Sequence, residues 1–143
     1  MTEEEARYLL FDQGYDCGQT VLAHFAEDLD LEEETAYKLA AGFGGGMQQG
    51  DMCGCVTGAL MALGLKYGFS QPGDKVGKDI MSGKTQEFLR RFQAACGAIR
   101  CRDLLGADVG TPEGKLQAGE RIPQRCPAYV CAACEILAEM LGE

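Results

Sequence analysis

The chain carries eight cysteines in 143 residues: Cys17, Cys53, Cys55, Cys96, Cys101, Cys126, Cys131 and Cys134. Thiolate sulfur does two kinds of chemistry in proteins. It ligates soft metals and iron–sulfur clusters, and it attacks disulfides. Cys53 and Cys55 form a close pair directly behind the loop G-F-G-G-G-M-Q-Q-G-D. Cys131 and Cys134 form C-A-A-C, a spacing that puts both on one side of a helix as metal ligands or a dithiol. Cys55 and Cys96 sit among Ala and Gly, where cysteine also serves as a small packing residue.

Four of the cysteines coincide with signals for helix starts. Asp16 reads as the N-cap of a helix opening at Cys17, and Asp51 as the cap of one opening at Met52, with Cys53 in its first turn. Cys101 precedes a short Arg102–Leu105 segment, and Cys126 stands before Pro127 in the N-cap position of the last helix. The first N–H groups of a helix lack internal acceptors and carry partial positive charge, which favours thiolate over thiol. Gly44, Gly45 and Gly46 in the loop, with Gly54, add amides free of side chains and suit an anionic group. Cys17, Cys53, Cys101 and Cys126 are therefore the candidate metal ligands, and Cys55 the further participant.

Those thiols need elements to hold them. Apolar residues recur at helical spacing throughout and period-two alternation is absent, so the expected fold is an all-α bundle of about five to seven helices in one domain, 1–143. The expected helices cover 3–12, 17–28, about 30–42, 52–67, a segment from the Gln71–Asp74 turn to about 95, 102–105 and 127–141. Between 106 and 123 a loop is expected, with a brief helix at Thr111-Pro112-Glu113. The 52–67 segment is apolar nearly all round and rich in Gly and Ala, as a central helix would be.

The formal charge is −9, from 13 basic and 22 acidic side chains, which argues against nucleic acid or an anionic membrane as partner. Met1 is followed by Thr2 and three glutamates rather than a secretory leader, and the longest uncharged stretch is too short to span a bilayer. A cytoplasmic location is expected. In that compartment so many cysteines point to metal or redox chemistry rather than structural disulfides.

The motifs Y-D-C-G-Q-T-V-L-A, G-F-G-G-G-M, C-G-C-V-T-G-A-L-M-A-L-G, C-R-D-L-L-G and C-P-A-Y-V together resemble the redox-active protein family named for its pattern, C_GCAxxG_C_C. The resemblance implies that Cys17, Cys53, Cys101 and Cys126 are the family's recurrent cysteines. Cys55 departs from the pattern, standing where alanine is usual, and Cys96, Cys131 and Cys134 are additional. The family is similar to the N-terminal part of split-Soret cytochromes, which carry an iron–sulfur cluster besides haem. Cys134 is followed by Glu135, so the C-x-x-C-H of covalent haem is absent. His24, the only histidine, falls two helical turns beyond Cys17 and reads more readily as a core or surface residue than as an axial ligand.

Three functions remain open on the residues. The first is an iron–sulfur protein, [2Fe-2S] or [4Fe-4S], exchanging electrons with a redox partner protein. The second is a metal-free thiol–disulfide oxidoreductase using Cys53–Cys55 or Cys131–Cys134. The third is a zinc or soft-metal site. A homodimer is compatible with the small-residue helix faces and the resemblance. No lysine follows the glycines, and neither a Cys-His couple with an orienting acid nor a two-histidine metal motif is present.

Overall fold

Helix α4 (Gly54–Tyr67) has apolar or small residues on every side as far as Leu65, so its body lies in the middle of the molecule, and only Leu65 and Lys66 in its last turn are exposed. The computed structural model describes residues 1–143. Around α4 pack α2 (Cys17–His24), α5 (Lys75–Cys96) and α8 (Arg121–Leu141). Outside them, α1 (Glu3–Arg7), prolonged by a π turn to Asp12, rests on α8, and α3 (Glu33–Leu39) rests on α2. Two short helices, α6 (Cys101–Leu105) and α7 (Pro112–Ala118), complete eight α-helices, more than the five to seven expected. One hydrophobic core joins them. α5 contributes Phe88 and Phe92, and α8 contributes Val130, Ala133, Leu137 and Met140, all fully buried. No helix is long and apolar enough to cross a membrane.

Three glycines set the distance between α2 and α4. A Cβ on Gly58 would stand 2.6 Å from the Gly18 carbonyl oxygen, and one on Gly54 would stand 3.0 Å from the Gly18 nitrogen. Backbone touches backbone there, which only glycine allows. The glycines that follow Cys17 and Cys53 thus let two helix starts abut, and the sulfurs are carried in with them.

Several boundaries differ from those the sequence suggests. α2 ends at His24, and a 3-10 turn at Glu27–Leu29 closes in the left-handed Asp30 (φ 54°). α3 opens at Glu33, not at 30 or 31, and ends at Leu39. α4 is capped by Cys53 rather than Asp51, because residues 51–53 are drawn into extended pairing with 99–101. α5 runs unbroken through Gly77 and Gly83, with the Gly77 N–H donating to the Asp74 carboxylate at 2.8 Å.

The largest correction concerns α8. It starts at Arg121, so Cys126 and Pro127 lie inside the helix and Cys126 is not its N-cap. Arg121, Arg125 and Tyr129, spaced four apart on one face of α8, explain the extension. Arg121 donates to the Leu105 carbonyl at 2.7 Å, while Arg125 and Tyr129 donate to the Leu104 carbonyl at 2.9 and 3.1 Å. They satisfy the orphan carbonyls at the end of α6, and charge-assisted bonds of this kind outweigh the single helical bond that Pro127 forfeits.

Candidate thiol centre

Cys53 and Cys101 are set side by side by a two-rung ladder. The Cys53 N–H donates to the Ile99 carbonyl at 2.9 Å, the Cys101 N–H donates to the Asp51 carbonyl at 2.7 Å, and Met52 and Arg100 form the antiparallel bridge between them. Each cysteine then enters a helix, Cys53 as the cap of α4 and Cys101 as the first residue of α6. Cys17 is the first residue of α2, held by the Asp16 N–H donating to the Gln19 side chain at 2.9 Å. Cys126 comes from the second turn of α8.

The four side chains line one cavity of about 20 Å³, together with Gly45, Gly46, Gly54, Leu104, Leu105 and Tyr129. That is about the room of one water molecule. The Cys126 and Cys55 thiols lie against Cys17, and Cys55 also lies beside Cys53. Five of the eight cysteines therefore meet here. In this closed arrangement no group of three or more Cys, His, Asp or Glu side chains is set to hold a metal ion.

Charge is unevenly shared. The two thiol donors, aided by its own backbone N–H, hold the Cys17 thiol well below the ordinary cysteine value against the opposing effect of burial. Its donors move the other way. Bonding to Cys17 and burial push Cys126 up, and bonding to Cys17 and Cys53 does the same to Cys55. Burial first, then the charges of Cys53, Cys17 and Asp108, push Cys101 up to about 12. The helix start thus adds only the smallest of the effects that lower Cys17, and it lowers neither Cys101 nor Cys126. One negative charge in so small a space opposes the next, and only a cation placed among the sulfurs would reverse that.

The glycine loop folds as a left-handed turn. Gly45, Gly46, Met47 and Gln48 have φ of 61°, 62°, 58° and 59°. Met47 and Gln48 are strained there by about 1–2 kcal/mol each. Arg102 holds the turn, donating to the Gly50 carbonyl at 2.9 Å and the Gln49 carbonyl at 2.8 Å. Gly44 lies under the Asp16 carboxylate, where a Cβ would come within 2.4 Å of it.

The remaining candidates sit elsewhere. Cys134 is buried in α8, where burial raises it to about 12, and the half-exposed Cys131 is raised by burial and then by Glu3. Cys96, at the end of α5, is raised to about 11 by burial and then by Cys53. His24 packs edge-on against Phe25 and lines a separate cavity with Met1, Leu9 and Thr20. The sequence reading missed Arg102, Arg125, Tyr129 and the 51–53/99–101 ladder. The repeated arrangement of two residues and a cysteine, D-M-C and I-R-C, each before a helix, was the available signal for the ladder.

On its open side the centre borders a groove of about 500 Å³ that includes Cys17 and Cys126. A buried set of thiols with one member held well below the ordinary cysteine value and a path to solvent is suited to gaining and losing electrons. Comparison with known proteins agrees in kind. A family model described as "Putative redox-active protein (C_GCAxxG_C_C)" matches residues 15–140. Neither curated proteins nor solved structures gave a match. A match running from just before Cys17 into the last turn of α8 takes in all five converging cysteines, and by it the chain belongs to the C_GCAxxG_C_C family of redox-active proteins.

Proposed function

We propose that the protein is an iron–sulfur redox protein whose ligands are Cys17, Cys53, Cys101 and Cys126. The observation that carries this reading is the convergence of four thiols, from four helices, on one cavity whose other walls include Gly45, Gly46 and Gly54. The donor set fits a [2Fe-2S] or [4Fe-4S] group in number and softness. Its present spacing does not, since one water's room must widen before such a group could enter. When bound, the group would exchange electrons with a partner protein. The chain's own contributions are then three. Backbone amides of the glycine turn offset negative charge, Leu104 and Leu105 keep water out, and Cys55 backs Cys17. Anaerobically prepared protein should contain iron and acid-labile sulfide and absorb in the visible. A colourless product that takes up no iron on reconstitution would sink the idea.

A second reading, thiol–disulfide exchange without metal, is favoured by one specific contact. Cys17, partly exposed and with its thiol held well below the ordinary cysteine value, lies against the buried Cys126 thiol, an arrangement of attacking and resolving groups. Cys131–Cys134 is less suited to that role, because both of its thiols are raised and neither is held ready to attack, and Cys55, raised by its neighbours Cys17 and Cys53, does not attack either. Mass spectrometry after mild oxidation distinguishes the readings. A reproducible Cys17–Cys126 disulfide supports exchange, and scattered pairing counts against it. Stoichiometric zinc without visible absorbance would instead favour a zinc site.

A further inference from the structure

A cavity with one water's room has to widen before four cysteines can take up anything larger, and its walls differ in what braces them. Gly54 is set backbone to backbone against Gly18, and Cys53 and Cys101 are tied by the two-rung ladder. The Leu104 and Leu105 carbonyls are bonded by Arg121, Arg125 and Tyr129 of α8. Gly45 and Gly46 are held differently. The backbone of residues 44–50 makes no hydrogen bond to backbone outside 43–51; the Met47 N–H donates to the Phe43 carbonyl, and the Asp51 N–H to that of Gly46. The side chains it carries, Met47, Gln48 and Gln49, are all exposed, so none anchors it in the core. Two things tie it down. Arg102 donates to the Gln49 and Gly50 carbonyls at 2.8 and 2.9 Å, and the turn rests against Asp108, Val109 and Gly110. The closed form also keeps Met47 and Gln48 left-handed, a strain that lifting the turn would relieve. Gly45 lines both the thiol cavity and the neighbouring groove, so the turn is a wall common to the two.

We propose that residues 44–50 form a lid on the thiol centre, latched by Arg102, whose lifting joins the cavity to the groove and lets a soft metal ion or cluster reach the four cysteines. Arg102 is then a positioning residue, acting through the turn and not on the sulfurs. The inference rests on the shared thiol cavity of the proposed function and adds the route into it. Lids are drawn from the parts of a fold that open at least cost, and this turn surrenders one side chain's bonds and no buried side chain.

Cobalt(II) uptake by the reduced, metal-free protein, followed by stopped-flow absorbance under argon, reads the opening. Arg102→Met should quicken uptake at least about ten-fold, since it removes two charge-assisted bonds from the closed form only. Gly110→Ala should quicken it too with no change of charge, because its Cβ would stand 2.4 Å from the Gln48 carbonyl oxygen and press the turn outward. In both variants amide exchange should rise at Met47 and Asp51 and stay unchanged at Cys53 and Cys101, whose N–H groups belong to the ladder. Uptake at the wild-type rate in either variant overturns the proposal, as does exchange that rises equally at all four amides. Cobalt that binds none of the three proteins counts against the thiol centre itself, and the amide exchange then still decides whether the turn opens by itself.

Discussion

Gly58→Ala and Gly64→Ala place the same methyl group on the same helix and should have opposite effects. At Gly58 the new Cβ meets three backbone atoms of Gly18, at 2.6, 3.0 and 3.2 Å. Backbone cannot rotate aside as a side chain can, so α2 must retreat from α4 by several tenths of an ångström. Overpacking of this kind costs about 1–3 kcal/mol, partly offset by the ~1 kcal/mol that alanine gains over glycine in a helix. A net loss of about 1–2 kcal/mol is expected. At Gly64 nothing lies within 4 Å of the new Cβ. There only the helical preference acts, and stability should rise by about 0.5–1 kcal/mol. Urea unfolding of the reduced protein measures both. Because Cys17 rides on the retreating helix, Gly58→Ala should also loosen its contact with Cys55 and slow its alkylation near neutral pH. A neutral Gly58→Ala, or a destabilising Gly64→Ala, would refute the reasoning that glycine contact holds the centre together.

Four other outcomes are expected. Met47→Gly should stabilise the protein by about 0.5–1 kcal/mol, since it releases left-handed strain at the entropic cost of a glycine; urea midpoints check it. Alkylation followed by mass spectrometry across pH should show Cys17 reacting well below the ordinary thiol range in metal-free protein, and Cys134 inert until strongly alkaline. Cys96 adds a linkage test: its folded thiol is raised from 9.0 to about 11, so its contribution is whole below pH 9 and fades as pH rises towards 11. Cys96→Ala should flatten that part of the stability profile. Arg125→Met should cost about 1–2 kcal/mol by removing the bond to the Leu104 carbonyl, and a loss under about 0.5 would show that α6 does not need it.

Much of the fold could be read before any coordinates. The unbroken apolar and small-residue character of 54–67 marks the central helix, and Asp16 and Thr111 mark helix starts that the structure uses. The start of α8 was not legible. Pro127 after Cys126 satisfies the local rule for a helix beginning, and it is overruled by bonds from Arg121, Arg125 and Tyr129 to a distant segment. Tertiary partners are invisible to a rule about neighbours. The same holds for the cap of α4. Asp51 has the right chemistry, but pairing with 99–101 takes its backbone and leaves Cys53 at the cap. For the thiols, helix starts drew attention to Cys17, Cys53, Cys101 and Cys126. Spacing alone could not show that Cys55 lies inside the same group or that the Cys17 thiol would be lowered while that of Cys126 is raised, since both follow from contacts between α2, α4 and α8.

The central claim is that sulfur atoms from four helices share one centre, and cobalt(II) tests it whatever the native occupant. Added to reduced, metal-free protein under argon, one equivalent should produce the thiolate charge-transfer and tetrahedral d–d absorption of a four-sulfur site. Cys17→Ser, Cys53→Ser, Cys101→Ser and Cys126→Ser should each change that spectrum, while Cys131→Ser and Cys134→Ser leave it intact. Cobalt that fails to bind, or a spectrum that depends on Cys131 and Cys134 instead, would contradict the account.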